Sequence, residues 1–313
     1  MTKWTASKIP SQSGRTAVVT GTGGLGFEDA LELARAGGRV ILAGRNPQKG
    51  AEAVGRIQAK SRSSKVWFEQ LDLACLKSVA EFATRLREQT ETLDLLINNA
   101  GVMVPPKRLE TRDGFELQLG TNYLSHFALT AHLMPLLQKG REPRVVTVSS
   151  IAARQGAIHF DDLQAQNSYD PMPVYAQSKL ACLIFAFEFH RRSETGGWGV
   201  SSLASHPGVS RTDLLLNSPG RTHLSPRFRL ARMMFQPPWQ GALPTLFAAT
   251  SPDAKPGGYY GPNGPAELRG YPSPSHVPNR AADPETARRL WRVSEELTGV
   301  TFDFPRIRKV QAA

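Results

Sequence analysis

Cysteine is scarce: in 313 residues only Cys75 and Cys182 occur. They lie far apart, each in an apolar, helix-like pattern, which excludes a disulfide framework and a metal knuckle; both are read as reduced core residues. Long hydrophobic runs are also missing. No stretch approaches the ~18 uninterrupted apolar residues of a membrane span, and the opening MTKWTASKIPSQSG lacks a signal-peptide core. A transmembrane segment is thereby excluded and a cytoplasmic location expected. No segment repeats, and a composition of 40% hydrophobic and 21% charged residues excludes disordered and fibrous chains. Acidic side chains are outnumbered, 27 against 38 basic, for a net charge of +11. Such an excess suits nucleic acid, an anionic membrane or a polyphosphate ligand, and does not choose among them.

What is present is alternation. Short β-branched runs at 15–19, 39–43, 65–69, 94–98, 144–148 and 199–203 each precede a segment of helical period or a loop leading to one. That pattern predicts a parallel sheet covered by helices, in one doubly wound α/β domain spanning 13–302. Fifteen of the 23 prolines fall in 207–313, so the last third is expected to be looped. Two helices are still predicted there. One is Pro238 to Thr250; the other, Asp283 to Thr298, opens with Asp283 as cap and Pro284 at the first helical position. The ends, 1–12 and 303–313, are expected to be flexible.

After the first run comes Thr20-Gly21-Thr22-Gly23-Gly24-Leu25-Gly26, then a helical segment. A glycine-rich turn between strand and helix N-terminus lets the backbone approach a pyrophosphate, which the unpaired N–H groups favour. This is the dinucleotide-binding context of a Rossmann-type domain. About 20 residues on, where a NAD site offers an acidic residue, the chain reads Ala43-Gly44-Arg45-Asn46. Arg45 suits the 2′-phosphate of NADP(H), which is therefore preferred over NAD(H); the alternative is a solvated arginine. Asp72 either accepts from the adenine amino group or caps the helix beginning near Leu76.

Three more motifs close successive strands: Asn98-Asn99-Ala100-Gly101, Ser149-Ser150, and Tyr175-Ala176-Gln177-Ser178-Lys179. In this order, after the glycine turn, the chain resembles the short-chain dehydrogenase/reductase family from about Ser13 to Phe302. Residues 160–163 (FDDL), 175–181 (YAQSKLA) and 206–214 (HPGVSRTDL) are similar to its retinol-dehydrogenase-like branch. The usual family turn has three residues between its first two glycines and this chain has two, so it reads instead as G-x-G-x-x-G on Gly21, Gly23 and Gly26. Tyr175 and Lys179 are four apart and share a helical face, which brings ammonium toward phenol. The resemblance implies Tyr175 as general acid/base, Lys179 as its electrostatic partner and ribose ligand, Ser150 on the substrate oxygen, and Asn122 in a water-linked relay. It further implies that Asn98 holds the central strand, that Asn99, Ala100 and Gly101 line the cofactor, and that Pro207, Gly208 and Thr212 approach the nicotinamide. His206, His159, Asp161 and Asp162 are read as structural, and no metal is expected.

Residues 214–240 form the expected substrate lid, and 256–302 a C-terminal extension. Leu224, Leu230, Met233, Met234, Phe235 and Trp239 mix there with Arg227, Arg229 and Arg232. The mixture fits a hydrophobic small-molecule substrate, a helix packing on the core, or docking to an anionic membrane surface. The expected activity is an NADP(H)-dependent interconversion of alcohol and carbonyl. From another class comes a non-catalytic NADP-sensing protein, which would bind cofactor without turning over any carbonyl. No nucleic-acid reading motif accompanies the charge, and a homo-oligomer is open.

Overall fold

The β-branched runs become six parallel strands in the computed structural model, which describes residues 3–61, 65–211 and 235–307. They are β1 (Thr16–Thr20), β2 (Arg39–Gly44), β3 (Lys65–Gln70), β4 (Leu95–Asn98), β5 (Arg144–Val148) and β6 (Ser201–Ser205). Two further strands, β7 (Tyr259–Pro262) and β8 (Pro272–Pro274), complete a sheet of order β3-β2-β1-β4-β5-β6-β7-β8. All neighbours are parallel except β7 and β8. The proline texture hides this last pair from sequence pattern. Pro272 and Pro274 are tolerated because β8 is an edge strand with one bonded side. Order reversal between β1 and β4 opens the crevice at the strands' C-terminal ends where such sheets bind ligands.

Both faces of the sheet are apolar, which gives the strands nearly continuous hydrophobic character. Val40, Leu42, Ala17, Val19, Leu95 and Ile97 point to one face, covered by α1 (Gly24–Arg35), α2 (Pro47–Lys60) and α6 (Pro238–Thr250). Ile41, Val18, Leu96 and Val145 point to the other, under α3 (Leu76–Gln89), α4 (Ser125–Leu137), α5 (Pro171–Gly196) and α7 (Pro284–Thr298). The predicted cap of α7 is present, with Asp283 accepting from Thr286 N at 2.9 Å. Asn46 caps α2 by accepting from Lys49 N at 3.0 Å.

Described residues near both ends of the chain make contacts with the core. Trp4 is buried edge-on against Phe247 of α6, with centroids 5.4 Å apart. At the other end Phe302 lies 4.7 Å from Trp291 of α7 and 4.9 Å from Phe127 of α4, and Ile307 N donates to Gly197 O at 2.9 Å. Aromatic area is what ties them down: burying one such ring stabilises by about 2–3 kcal/mol. Cys182 is buried as read, but Cys75 is only half-buried at the N-terminus of α3, outside the core. No helix of the described residues is long and apolar enough to cross a membrane. Thr212 and 214–234 of the expected lid lie outside the described residues.

One core residue is out of character. Asp29 of α1 is fully buried, and neither carboxylate oxygen has a hydrogen-bond partner among the described residues. Burial, with Glu28 nearby, pushes its carboxyl well above the ordinary range. An acid raised in the folded state stabilises fully below its unfolded pKa of about 3.9 and loses that contribution as pH rises. Asp29→Asn should therefore gain stability relative to wild type as pH climbs from about 4.5 to 8, by ~1 kcal/mol or more in urea denaturation. A difference constant across that range would show an ionised, solvated carboxylate instead.

Candidate active site

The strand ends open on one cleft of about 730 Å³. At one side lie Gly21, Gly23, Gly24 and Leu25 of the turn, with Gly44, Arg45, Asn46, Lys49 and Asp72. At the other lie Ser149, Ser150, Tyr175, Lys179, Pro207 and Gly208, and Asn99, Ala100 and Gly101 sit between. Of the residues expected to act together, these line one cleft; Gly26 and Asn122 do not line it, and Thr212 lies outside the described residues.

The turn is built for close approach. Gly21 has φ +96°, and a Cβ there would meet Asn99 Nδ2 at 2.9 Å. A Cβ on Gly26 would collide with Gly21 O, so Gly26 holds α1 tightly against the turn, the third-glycine role of the G-x-G-x-x-G reading. Gly23 is the N-cap of α1, and no side chain caps it. Gly24 and Leu25, which open α1, line the cleft, and among the described residues no side chain caps their helix terminus, a donor set suited to a pyrophosphate.

Thr20, at the end of β1, organises the floor. Its Oγ1 accepts from Asn99 N and Ala100 N, both at 2.9 Å, and lies 2.9 Å from His126 Nε2. His126 Nδ1 is 2.9 Å from the Asn122 carbonyl, which can only accept, so Nδ1 carries the hydrogen and Nε2 is the nearer of two acceptors for the threonine's, the other being Ile97 O at 3.3 Å. Asn99 Nδ2 adds a bond to Thr20 O at 2.7 Å, and Asn98 Nδ2 donates to Thr130 Oγ1 at 3.1 Å.

Asn122 lies in a single π-helical turn, Gly120–Leu124, just before α4. Its side chain pairs with the Val102 backbone in both directions, at 2.7 and 3.0 Å, and donates to Ser178 Oγ at 2.9 Å. Its carbonyl receives His126 Nδ1–H and the Cys182 thiol, the latter at 3.2 Å. Lys179 Nζ donates to Val148 O at 2.9 Å, and Ser149 Oγ donates to Lys179 O at 2.7 Å, pinning α5 to the end of β5. Ser150 Oγ accepts from Ala152 N at 3.2 Å, leaving its own hydrogen available to the cleft. Tyr175 and Lys179, one helical turn apart, are both buried against it.

Residues 15–220 match the family described as short chain dehydrogenase. The chain belongs to the short-chain dehydrogenase family. It is 40% identical over 298 residues to mouse polyprenol dehydrogenase, covering 93% of this chain and 86% of that one. It is likewise 40% identical over 293 residues to mouse retinol dehydrogenase 12, covering 93% and 88%. A solved structure from Mycobacterium paratuberculosis, of an uncharacterized protein, superposes with a TM-score of 0.80 at 38% identity over 97% of this chain and 100% of that one. The protein is thus an oxidoreductase of retinol-dehydrogenase-like type, in a family that uses NAD(H) or NADP(H).

In this dehydrogenase Asp72 lines the cleft, accepts from Ala74 N at 3.0 Å and approaches Arg112 at 3.9 Å. It does not cap α3: the Leu76 N–H goes to Asp113 Oδ2 at 2.9 Å, a partner 37 residues away that local pattern cannot reveal. Lys49 joins Arg45 at the cleft because it lies in the first turn of α2, which begins directly after Asn46. Thr20 and His126 had no readable signal, since the bond that joins them spans 106 positions of the chain. Among the described residues no cluster of His, Cys, Asp and Glu could hold a metal ion. Asp162 instead accepts from Gln166 N at 2.7 Å in a turn.

Burial holds both His126 and His206 down to about 4, against weaker opposing hydrogen bonds from the Asn122 carbonyl and Glu267 respectively. A histidine lowered in the fold contributes stability present above its unfolded pKa of about 6.5 and lost as pH falls toward the folded value. Relative to a His126→Asn variant, wild type should lose urea stability as pH falls from about 6.5 to 5, a comparison in which the opposite contribution of Asp29 cancels. A difference constant over that window would contradict a neutral buried ring at 126.

Proposed function

We propose that this dehydrogenase interconverts a hydrophobic alcohol and its carbonyl using NADP(H), with Tyr175 transferring the proton. The observation that carries the reading is the single cleft joining the glycine turn to Ser150, Tyr175 and Lys179. The turn, the uncapped α1 terminus and the Asn99–Gly101 segment would hold the dinucleotide, which when bound supplies or accepts the hydride. Arg45 and Lys49 at the far end favour the extra 2′-phosphate, and no carboxylate of that turn opposes it. Asp72 is the acceptor offered toward the adenine.

At the reacting end Tyr175 donates its proton to a carbonyl oxygen on reduction and removes it from the alcohol on oxidation. Ser150 donates the hydrogen that its contact with Ala152 N leaves free, stabilising charge as it builds on the same oxygen. Lys179, fixed by the Val148 carbonyl, supplies positive charge beside Gly101: its Nζ is 3.7 Å from where a Cβ on that glycine would sit. Asn122, held in the π-helical turn, keeps the wall of this pocket in register. Val102, Met103, Ile151, Met172, Val209 and Phe235 make the adjoining lining apolar, which fits a hydrophobic substrate. The naming of two similar relatives for polyprenol and retinol supports the same substrate class.

Tyr175→Phe should lower kcat with a hydrophobic aldehyde by about a thousandfold while leaving NADPH binding and the melting temperature unchanged. Turnover retained in that variant would overturn the assignment. Arg45→Ala and Lys49→Ala should each weaken NADPH binding by roughly tenfold in a fluorescence titration and leave NADH nearly unaffected. Equal losses for both dinucleotides would refute the 2′-phosphate role.

A further inference from the structure

His206 and Glu267 sit outside the proton-transfer set, yet they connect two walls of the cleft. His206 follows β6 directly, is fully buried, and its Nδ1 lies 3.1 Å from Gly208 N. A backbone N–H can only donate, so Nδ1 must present a lone pair and the ring hydrogen must sit on Nε2. Nε2 meets Glu267 Oε2 at 2.8 Å and Ser275 Oγ at 2.9 Å. Glu267 also accepts from the Ser275 hydroxyl and from His276 N at 3.1 Å, and forms an ion pair with Arg154 Nη2 at 2.6 Å. Arg154 belongs to the helical turn Ile151–Gln155 that follows Ser150. A second strap runs alongside, from Val209 N to Leu268 O at 2.7 Å.

The carboxylate is presented at a backbone cost. Ala266 and Glu267 are successive non-glycine residues with φ of +50° and +57°, a left-handed turn that side chains disfavour. A turn of that kind persists where its surroundings over-determine it, and here three hydrogen-bond donors and one guanidinium converge on one carboxylate. Glu267 enters from the C-terminal segment, more than fifty residues beyond the loop it supports.

We propose that Glu267 is a positioning residue: it holds His206 as the Nε2–H tautomer, so that Nδ1 takes the Gly208 N–H and sets the Pro207–Gly208 backbone in the cleft. This rests on the reading of that cleft as the nicotinamide dinucleotide site. Without the carboxylate the ring is free to place its hydrogen on Nδ1, where it opposes the Gly208 N–H and releases the loop. The two ring nitrogens can be separated chemically. An asparagine at 206 offers an oxygen near the Nδ1 position, able to accept from the second following N–H as in an Asx turn, but does not reach Glu267. A glutamine reaches toward the Nε2 position and does not reproduce Nδ1.

Fluorescence titration of the full chain with NADPH, on His206→Asn, His206→Gln, Glu267→Ala and the His206→Asn/Glu267→Ala double variant, tests the proposal, with thermal melting of each as a check on folding. His206→Asn should bind within about twofold of wild type, whereas His206→Gln and Glu267→Ala should each bind about tenfold more weakly. In the His206→Asn background, adding Glu267→Ala should cost no further affinity, because the tautomer no longer matters. Wild-type affinity in His206→Gln, or an equal loss on removing Glu267 in both backgrounds, would overturn the proposal while leaving the dinucleotide reading intact. A wild-type chain that binds neither NADPH nor NADH would overturn that reading and the positioning role with it.

Discussion

The hydroxyl of Thr20 is the junction on which the cleft depends. One oxygen accepts two backbone N–H groups from the loop after β4 and gives its hydrogen to His126, whose other nitrogen holds the Asn122 carbonyl. Glycine turn, central loop and π-helical turn are thus linked through two side chains, those of Thr20 and His126. Buried chains of this kind are stiff because breaking any member strands a partner away from water. The low-lying His126 belongs to the same logic: a second ring hydrogen would face the Thr20 hydroxyl and the Lys179 ammonium in a buried site.

Around that junction the sheet does the placing. Parallel strands bring all their C-terminal ends to one edge, so segments separated by tens of residues become neighbours without long excursions. The long helix α5 brings Tyr175 and Lys179 to the cleft by lying across the end of β5, fastened there by Lys179 Nζ on Val148 O and by Ser149 Oγ on Lys179 O. Local folding and the candidate chemistry use the same bonds: the lysine that would supply charge also docks the helix, and the serine beside Ser150 docks its backbone.

The proline-rich last third belongs to this architecture as well. It lengthens the sheet by two strands, lays Trp291 and Phe302 over the aromatic face of α4 and α5, and sends Glu267 to His206. An extension that packs on the core and reaches the cleft is part of the site's support, which is why its irregular backbone is held by so many side-chain bonds.

Much of this was legible in one dimension. Six strands followed from β-branched alternation, α6 and α7 from their proline and capping signals, and the glycine turn, Arg45, Ser150, Tyr175 and Lys179 from motifs whose spacing matches a strand–turn–helix or one helical turn. Those features are local: neighbouring residues and elementary periodicity suffice to specify them. The pairing of β7 with β6, the burial of Trp4 on α6, the capping of α3 by Asp113, and the Thr20–His126 and Arg154–Glu267–His206 networks were not legible. Each is a partnership between residues tens of positions apart, and its meaning resides in a hydrogen-bond geometry that exists only once the sheet has closed the distance. Sequence alone determined which chemistry the chain carries and which elements carry it; the tertiary structure decided how that chemistry is held, because burial is what turns a hydroxyl, a neutral imidazole or a distant carboxylate into an obligatory partner.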